Sequence, residues 1–319
     1  MSNSGAIESI LAAAVRAPSS HNTQPWRFAC GEAVIDLIAD RTRSLPVNDP
    51  RDRELTISCG CALLNIEVAA AALGYRTNVA LAVDDPDRLA RVSLTPGDDG
   101  RSQDERAPLA ASIRARHTHR AAIESGSPDP ALRARLTGGA KRDGVRLQLV
   151  DTCSRDALAE LVEAADIAQW ADPHWRRELA AWMHPRRSGD GLTVPALAGP
   201  AVRRFVQAAD MGRRVARRDR AAVLDAPFLA VLCTTGDERR DWLTAGRALQ
   251  RLLLEAAAAG FQAAYYNAPL QVSPLRSQVI ALCAGATPQL IFRLGRPSRS
   301  APATPRRPLN DVIQHTPGA

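Results

Sequence analysis

The stretch ELTISCGCALLNIEVAAAALGY, residues 54–75, decides the fold. Its apolar run over 54–73 is too long for a strand and suits a buried helix, and Gly74 supplies the stop. The same pattern returns 186 residues later. Gly60 aligns with Gly246, Ala62 with Ala248, Leu63 with Leu249, the Ala-Ala-Ala run at 70–72 with that at 256–258, Gly74 with Gly260 and Tyr75 with Phe261. A second helix is therefore predicted over 240–259, and the chain reads as an internal repeat. Small residues along a helix let a neighbour approach closely, so the two copies are expected to pack on each other in a fused pseudo-dimer.

Working outward, Ile7, Ile10, Leu11, Ala14 and Val15 recur at helical spacing until Pro18 ends the pattern. GEAVIDLIAD (31–40), FLAVLCTT (228–235) and PQLIFRLG (288–295) read as strands. The fold class is α+β, an α/β sandwich of two homologous lobes, predicted at 1–105 and 106–319. A segment at 165–220 interrupts the second lobe with Trp170, Trp175 and Trp182, three of the five tryptophans, and the turn-rich HPRRSGDGLTVPALAGP (184–200). The lobes carry different motifs. PSSHNTQPW (18–26) lies between helix and strand in the first, where the second has only LTGGAKRDG (136–144); RHTHR (116–120) precedes the second and has no counterpart before residue 7. A site needing both motifs occurs once per chain.

At 319 residues and 45% hydrophobic content the chain can bury a large core. Its start, MSNSGAIE, lacks the basic and apolar regions of a signal peptide, no apolar run is read as long enough to span a bilayer, and a cytoplasmic, membrane-free protein is expected. Six cysteines without a CxxC pair are expected to be reduced. The net charge is +7, and Lys141 is the single lysine, so anions must be held by arginine forks or backbone N–H groups, a set suited to phosphate. The arginines are scattered and aromatics make up only 4% of the chain, which argues against nucleic acid. The densest basic run, GRRVARRDR (212–220), reads as a solvated helix face. There is no GxSxG, P-loop, GxGxxG or HExxH, and the His117/His119 pair has no third metal ligand near it in sequence.

APSSHNTQPW (17–26) resembles the flavin-ring segment of the FMN-dependent nitroreductase family, RHTHR its phosphate-binding segment, and TPRRPL (304–309) its C-terminal arginine before Pro-Leu. The order of the halves is most similar to the two-lobed Acg-type branch. The resemblance implies that Ser19, Ser20 and Asn22, on a loop stiffened by Pro18 and Pro25, reach the isoalloxazine and ribityl groups, while Gln24 steadies the loop or touches the ring. It implies that Arg116 and Arg120 take the flavin phosphate with the Thr118 hydroxyl, that His117 lies near the ring or ribityl chain, and that Arg306 or Arg307 adds charge. In YYNAPLQVSP (265–274) it places a backbone donor to the ring between Asn267 and Leu270, around Pro269. Read from residue chemistry alone, these segments also suit a surface turn, a basic turn, a Pro-rich tail and a strand end.

The implied activity is NAD(P)H-dependent two-electron reduction of nitroaromatics or quinones, with the nicotinamide bound transiently and without a Rossmann domain. No side-chain acid or base is assigned. The alternative implied by the Acg-type branch is a flavin-sequestering protein in which the 165–220 segment closes as a lid and turnover is small. The partners expected are small molecules, FMN, NAD(P)H and an oxidant, and a monomeric pseudo-dimer is expected over a homodimer.

Overall fold

The computed structural model describes residues 3–82, 84–97, 105–185, 189–299 and 303–314. The junction expected at 105/106 adjoins 98–104, which lie outside the described residues. The first lobe runs α1 (Asn3–Ala14), β1 (Trp26–Cys30), β2 (Val34–Ala39), α2 (Arg53–Ala72), β3 (Tyr75–Leu81) and β4 (Arg88–Pro96). After a short α3 (Ser112–Ala115), the same order returns as α4 (Pro130–Arg142), β5 (Arg146–Leu149), β8 (Phe228–Thr234), α9 (Arg239–Ala258), β9 (Gln262–Tyr265) and β10 (Thr287–Gly295). Between β5 and β8 stand α5 (Thr152–Ala171), α6 (Pro173–Ala181), β6 (Met183–Pro185), β7 (Leu192–Val194), α7 (Gly199–Ala208) and α8 (Gly212–Leu224). Between β9 and β10 stand α10 (Ala268–Gln271) and α11 (Ser273–Leu282), and β11 (Ile313–Gln314) closes the described chain.

The strand orders β1-β2-β4-β3 and β5-β8-β10-β9 are the same, and every neighbouring pair within them is antiparallel. The likeness read from two helices therefore extends to both sheets. The helices start and stop within one residue of the sequence reading, each followed by a glycine in the left-handed region, Gly74 at φ 80° and Gly260 at φ 81°.

Helices α2 and α9 pack face to face at the two aligned glycines. A Cβ on Gly60 would stand 3.0 Å from the Gly246 Cα and against the Leu243 carbonyl; one on Gly246 would stand 2.9 Å from the Gly60 Cα and against the Ile57 carbonyl. Ile57 and Leu243 are themselves 186 residues apart, so the contact is self-complementary, as across a two-fold axis. Arg51 donates to Asp237, its own repeat position, at 3.0 Å, and Gln250 Nε2 donates to Asn65 Oδ1 at 2.7 Å inside the seam. By length and composition α2 passes as a membrane span, which corrects the expectation that no such run exists; it is 94% buried, as the core helix of the two lobes.

The sheets differ in cover. In β2, Ile35, Leu37 and Ala39 face the core while the other face carries the Asp36–Arg91 pair. In β8 every residue is buried: Phe228, Ala230 and Leu232 join the α9 core, and Leu229, Val231 and Cys233 pack under α5 and α11. The inserted helices thus seal a face that the first lobe leaves open. Strand β11 adds to the first sheet, parallel to β1, so residues 313–314 return to the first lobe.

Gly246→Val is expected to cost about 3 kcal/mol or more, because two backbones leave no room for relaxation. Urea unfolding of the variant beside Gly138→Ala, where the neighbours stand back to 3.9 Å, checks it.

Candidate functional site

The loop after α1 is held in an uncommon shape. His21, Asn22 and Gln24 all have positive φ, 50°, 55° and 52°, a region costly for residues other than glycine and frequent at ligand-binding loops. The Ser19 hydroxyl accepts from the Gln24 N–H at 2.9 Å, Ser20 donates to Glu54 on α2, and the Cys59 thiol donates to the Pro25 carbonyl. Trp26, fully buried, pins the loop's far end into the core.

Residues 116–120 lie extended on the open edge of the second sheet, bridging Thr118 to Ala263 with the His119 N–H on the Ala263 carbonyl. Side chains of an extended segment alternate, so Arg116, Thr118 and Arg120 point one way and the two histidines the other. The first three line a cavity of about 380 Å³ together with Pro18, Ser19, Asn22 and Arg306. Among the described residues none of Arg116, Arg120 and Arg306 forms an ion pair with a carboxylate, and the Nε atoms of Arg116 and Arg306 are buried without a partner. Burial, with Arg116 and Arg16 close by, pushes Arg306 down to about 9; burial likewise lowers Arg116 and Arg120, although Arg120 keeps surface exposed toward the cavities. Three neighbouring arginines with no ion-paired carboxylate among the described residues have the chemistry to hold a dianion.

A second cavity, about 460 Å³, shares Pro18, Ser19, Thr118, Arg120 and Leu192 with the first. The loop and α2 form one side of it, through Ser20, His21, Glu54 and Ser58; Tyr265, Tyr266 and Asn267 form its floor. The inserted helices supply the remaining wall, including Asp166, Trp170, Trp175 and Val215. Glu54 accepts from Ser20, from Arg53 at 3.1 Å and from Gln271 at 2.7 Å. Burial pushes His21 down to about 4, so it is neutral, and burial with Asp219 nearby pushes Asp166 up to about 7.

A strap from the insertion crosses the loop. Asn22 and Gly191 exchange bonds, Gly191 N–H to the Asn22 carbonyl at 3.1 Å and Asn22 Nδ2 to the Gly191 carbonyl at 3.3 Å, and Gln24 Nε2 donates to the Gly189 carbonyl at 2.9 Å. Asp190 pairs with Arg43 and stands 3.5 Å from His184. Gly191, Leu192 and Thr193 thereby wall the smaller cavity.

Of the residues expected at the site, Pro18, Ser19, Ser20, Asn22, Arg116, Thr118, Arg120, Asn267 and Arg306 line one or both cavities. Four do not. Gln24 is fully buried and spends its amide on Gly189 and the Arg307 N–H. Arg307 turns to the Gln24 carbonyl and to Asp40, leaving Arg306 as the arginine on the cavity. His117 borders a separate cavity of about 250 Å³ beside Arg116 and Arg306, with its Nδ1 against the Ala115 carbonyl and its backbone N–H on Gln262. Pro269 is buried in the first turn of α10, and Asn267 gives its Oδ1 to the Ile291 N–H. Sequence reading missed His21, Glu54, Tyr265 and Asp166; His21 and Tyr265 sit inside quoted motifs, while Glu54 and Asp166 carry no local signal.

No protein-family model matches the chain. It is 33% identical over 321 residues to the Mycobacterium tuberculosis protein named "Putative NAD(P)H nitroreductase Rv3131", covering 97% of this chain and 91% of that one. It is 30% identical over 324 residues to "Putative NAD(P)H nitroreductase acg" of the same species, covering 96% and 95%. The FMN-dependent nitroreductase NfnB of Mycobacterium smegmatis, solved with NADPH, aligns over 66% of this chain and 99% of its own at 16% identity and a TM-score of 0.45, a likeness too slight to bear on function.

Gln24→Ala is expected to free the strap: losing its buried amide bonds costs about 1–3 kcal/mol, so hydrogen exchange at the Gly191 and Leu192 amides rises about tenfold or more. The pH response has a definite sign. An unfolded chain protonates His21 near pH 6.5, the folded one only near pH 4, so the stability that goes with neutral His21 is intact above 6.5 and lost as pH falls from there to 4. His21→Asn is expected to flatten the Tm curve across that window.

Proposed function

We propose a function on one premise, that the chain belongs to the NAD(P)H nitroreductase family in its acg-type branch: it binds one FMN between its lobes and reduces nitroaromatics or quinones with electrons from NAD(P)H. The observation that supports this most is the pairing of cavities. One end gathers Arg116, Arg120 and Arg306 without carboxylate partners, and the adjoining space is edged by short hydroxyl side chains and closed by aromatic ones. The orphaned Nε atoms of Arg116 and Arg306 fit a phosphate, with Thr118 and Asn22 beside it. Ser19 and Ser20 would meet the ring system in the larger cavity. Bound flavin supplies two-electron transfer between a nicotinamide and an oxidant.

The chain's own residues do the rest. The arginines bind and orient the charged end; Glu54 fixes the Ser20 hydroxyl; the inserted helices and the strap keep water from the larger cavity. Both lobes reside in one chain, so a monomer is the expected working unit.

The strap favours a second reading, sequestration of the cofactor with little turnover, because the segment that walls the cavity is hydrogen-bonded to the loop at Asn22 and Gln24. One anaerobic experiment separates the two. Rapid bleaching of the FMN-loaded protein by NADPH or NADH supports the reductase. Persistent colour that only dithionite removes, with NADPH bleaching gained in Gln24→Ala, supports sequestration.

Arg116→Ala and Arg306→Ala are each expected to raise the Kd for FMN about 10- to 100-fold, from the loss of charged hydrogen bonds worth about 1.5–3 kcal/mol. Flavin fluorescence titration reads this directly. Unchanged affinity in both variants refutes the phosphate assignment.

A further inference from the structure

The wall that the insertion gives to the larger cavity sets Trp170, Trp175 and aliphatic side chains beside a polar edge of Asp166, Gln169, Arg218 and Asp219. We propose that this wall forms the chamber of the electron acceptor, a planar quinone, and that Asp166 hydrogen-bonds its carbonyl oxygen and protonates it during reduction. The proposal rests on the flavin reading above and names the oxidant of that same site.

Asp166 sits on α5, 8% exposed, and lines the cavity, and its Oδ2 is buried without a hydrogen-bond partner. A carboxyl group in that state is costly unless it holds a proton or meets a ligand. The nearby cation is paired with another acid: Arg218 Nε lies 2.8 Å from Asp219 on α8, so Asp166 feels the like charge of Asp219 more than the opposing pull of Arg218. From the other walls it faces Glu54 on α2, already accepting three donors, neutral His21, Arg120, and the phenols of Tyr265 and Tyr266. Burial and Asp219 together keep its proton on until about pH 7. Below about pH 7 it is a neutral acid at the edge of the chamber, a donor rather than an anion.

The surroundings specify what it donates to. Trp170 and Trp175 meet edge to face, ring centres 5.5 Å apart, and Leu179, Leu192 and Val215 complete the wall, a surface for a flat aromatic body. A neutral acid does not select a cation. A quinone oxygen grows more basic as electrons arrive, so the bond from Asp166 strengthens toward the transition state.

The balance closes. The quinone gains two electrons and one proton from the reduced flavin, which becomes oxidised, and a second proton from Asp166. The Asp166 O–H bond breaks as a hydroquinone O–H bond forms, water reprotonates the carboxylate, and NAD(P)H restores the reduced flavin.

The test uses the full chain loaded with FMN and reduced by dithionite, so it does not depend on nicotinamide turnover. The reduced protein is mixed rapidly with 1,4-naphthoquinone, or with ferricyanide, which takes electrons without protons. The ratio of the two rate constants is expected to fall in the wild type as pH rises through about 7, and in Asp166→Asn to be about tenfold lower or less at pH 6 and flat with pH. Asp219→Asn, which removes the like charge, is expected to move the wild-type limb to lower pH. Infrared difference spectra of wild type minus Asp166→Asn, recorded without flavin, are expected to show a carboxylic-acid band that fades through the same range. Loss of flavin binding and loss of the Asp166 proton are thereby read separately. A wild-type ratio and pH profile in Asp166→Asn, or no acid band at pH 6, overturns the proposal.

Discussion

The approach of α2 to α9 at Gly60 and Gly246 is the contact on which the rest of this molecule depends. Two helices that touch backbone to backbone set the spacing of the sheets behind them to within a methyl group. The loop carrying Ser19 to Asn22 is moored to α2 through Glu54, and the edge carrying Arg116 to Arg120 is moored to β9, which follows α9. The width of the cavity between loop and edge is therefore set at the helix seam, by residues that never touch a ligand.

A second constraint is electrostatic. Three arginines line one cavity without an ion-paired acid among the described residues, and burial lowers the pKa of each, with Arg116 and Arg16 adding to the effect at Arg306. On the proposed reading a bound dianion offsets that cost, which links folding stability to ligand concentration. The strained loop at His21, Asn22 and Gln24 belongs to the same account: its shape is maintained by bonds to α2 and to the strap rather than by its own preference.

How much of this was legible in the sequence follows from the range of each interaction. The two long helices were legible because glycine and alanine at fixed positions encode a close helical contact, and the strands because β2 alternates and β8 is apolar throughout. The loop was legible as a motif. The fate of Gln24 was not, since its partners Gly189 and Arg307 lie 165 and 283 residues away. The setting of His117 was not legible either, because the course of 116–120 comes from one bridge to Ala263, which no local pattern announces. Asp166 looks, on an amphipathic helix, like any solvated acid, and β11 is two residues long.

The return of β11 to the first sheet carries a consequence for the order of assembly. Arg306 reaches Asn22 across 284 residues of chain, just ahead of the strand that pairs with β1. On the ribosome the first lobe therefore waits, with one sheet edge bare and its loop at Asn22 ungripped, until the second lobe has been made. The cavity beside Asn22 is completed only after that long-range pairing forms.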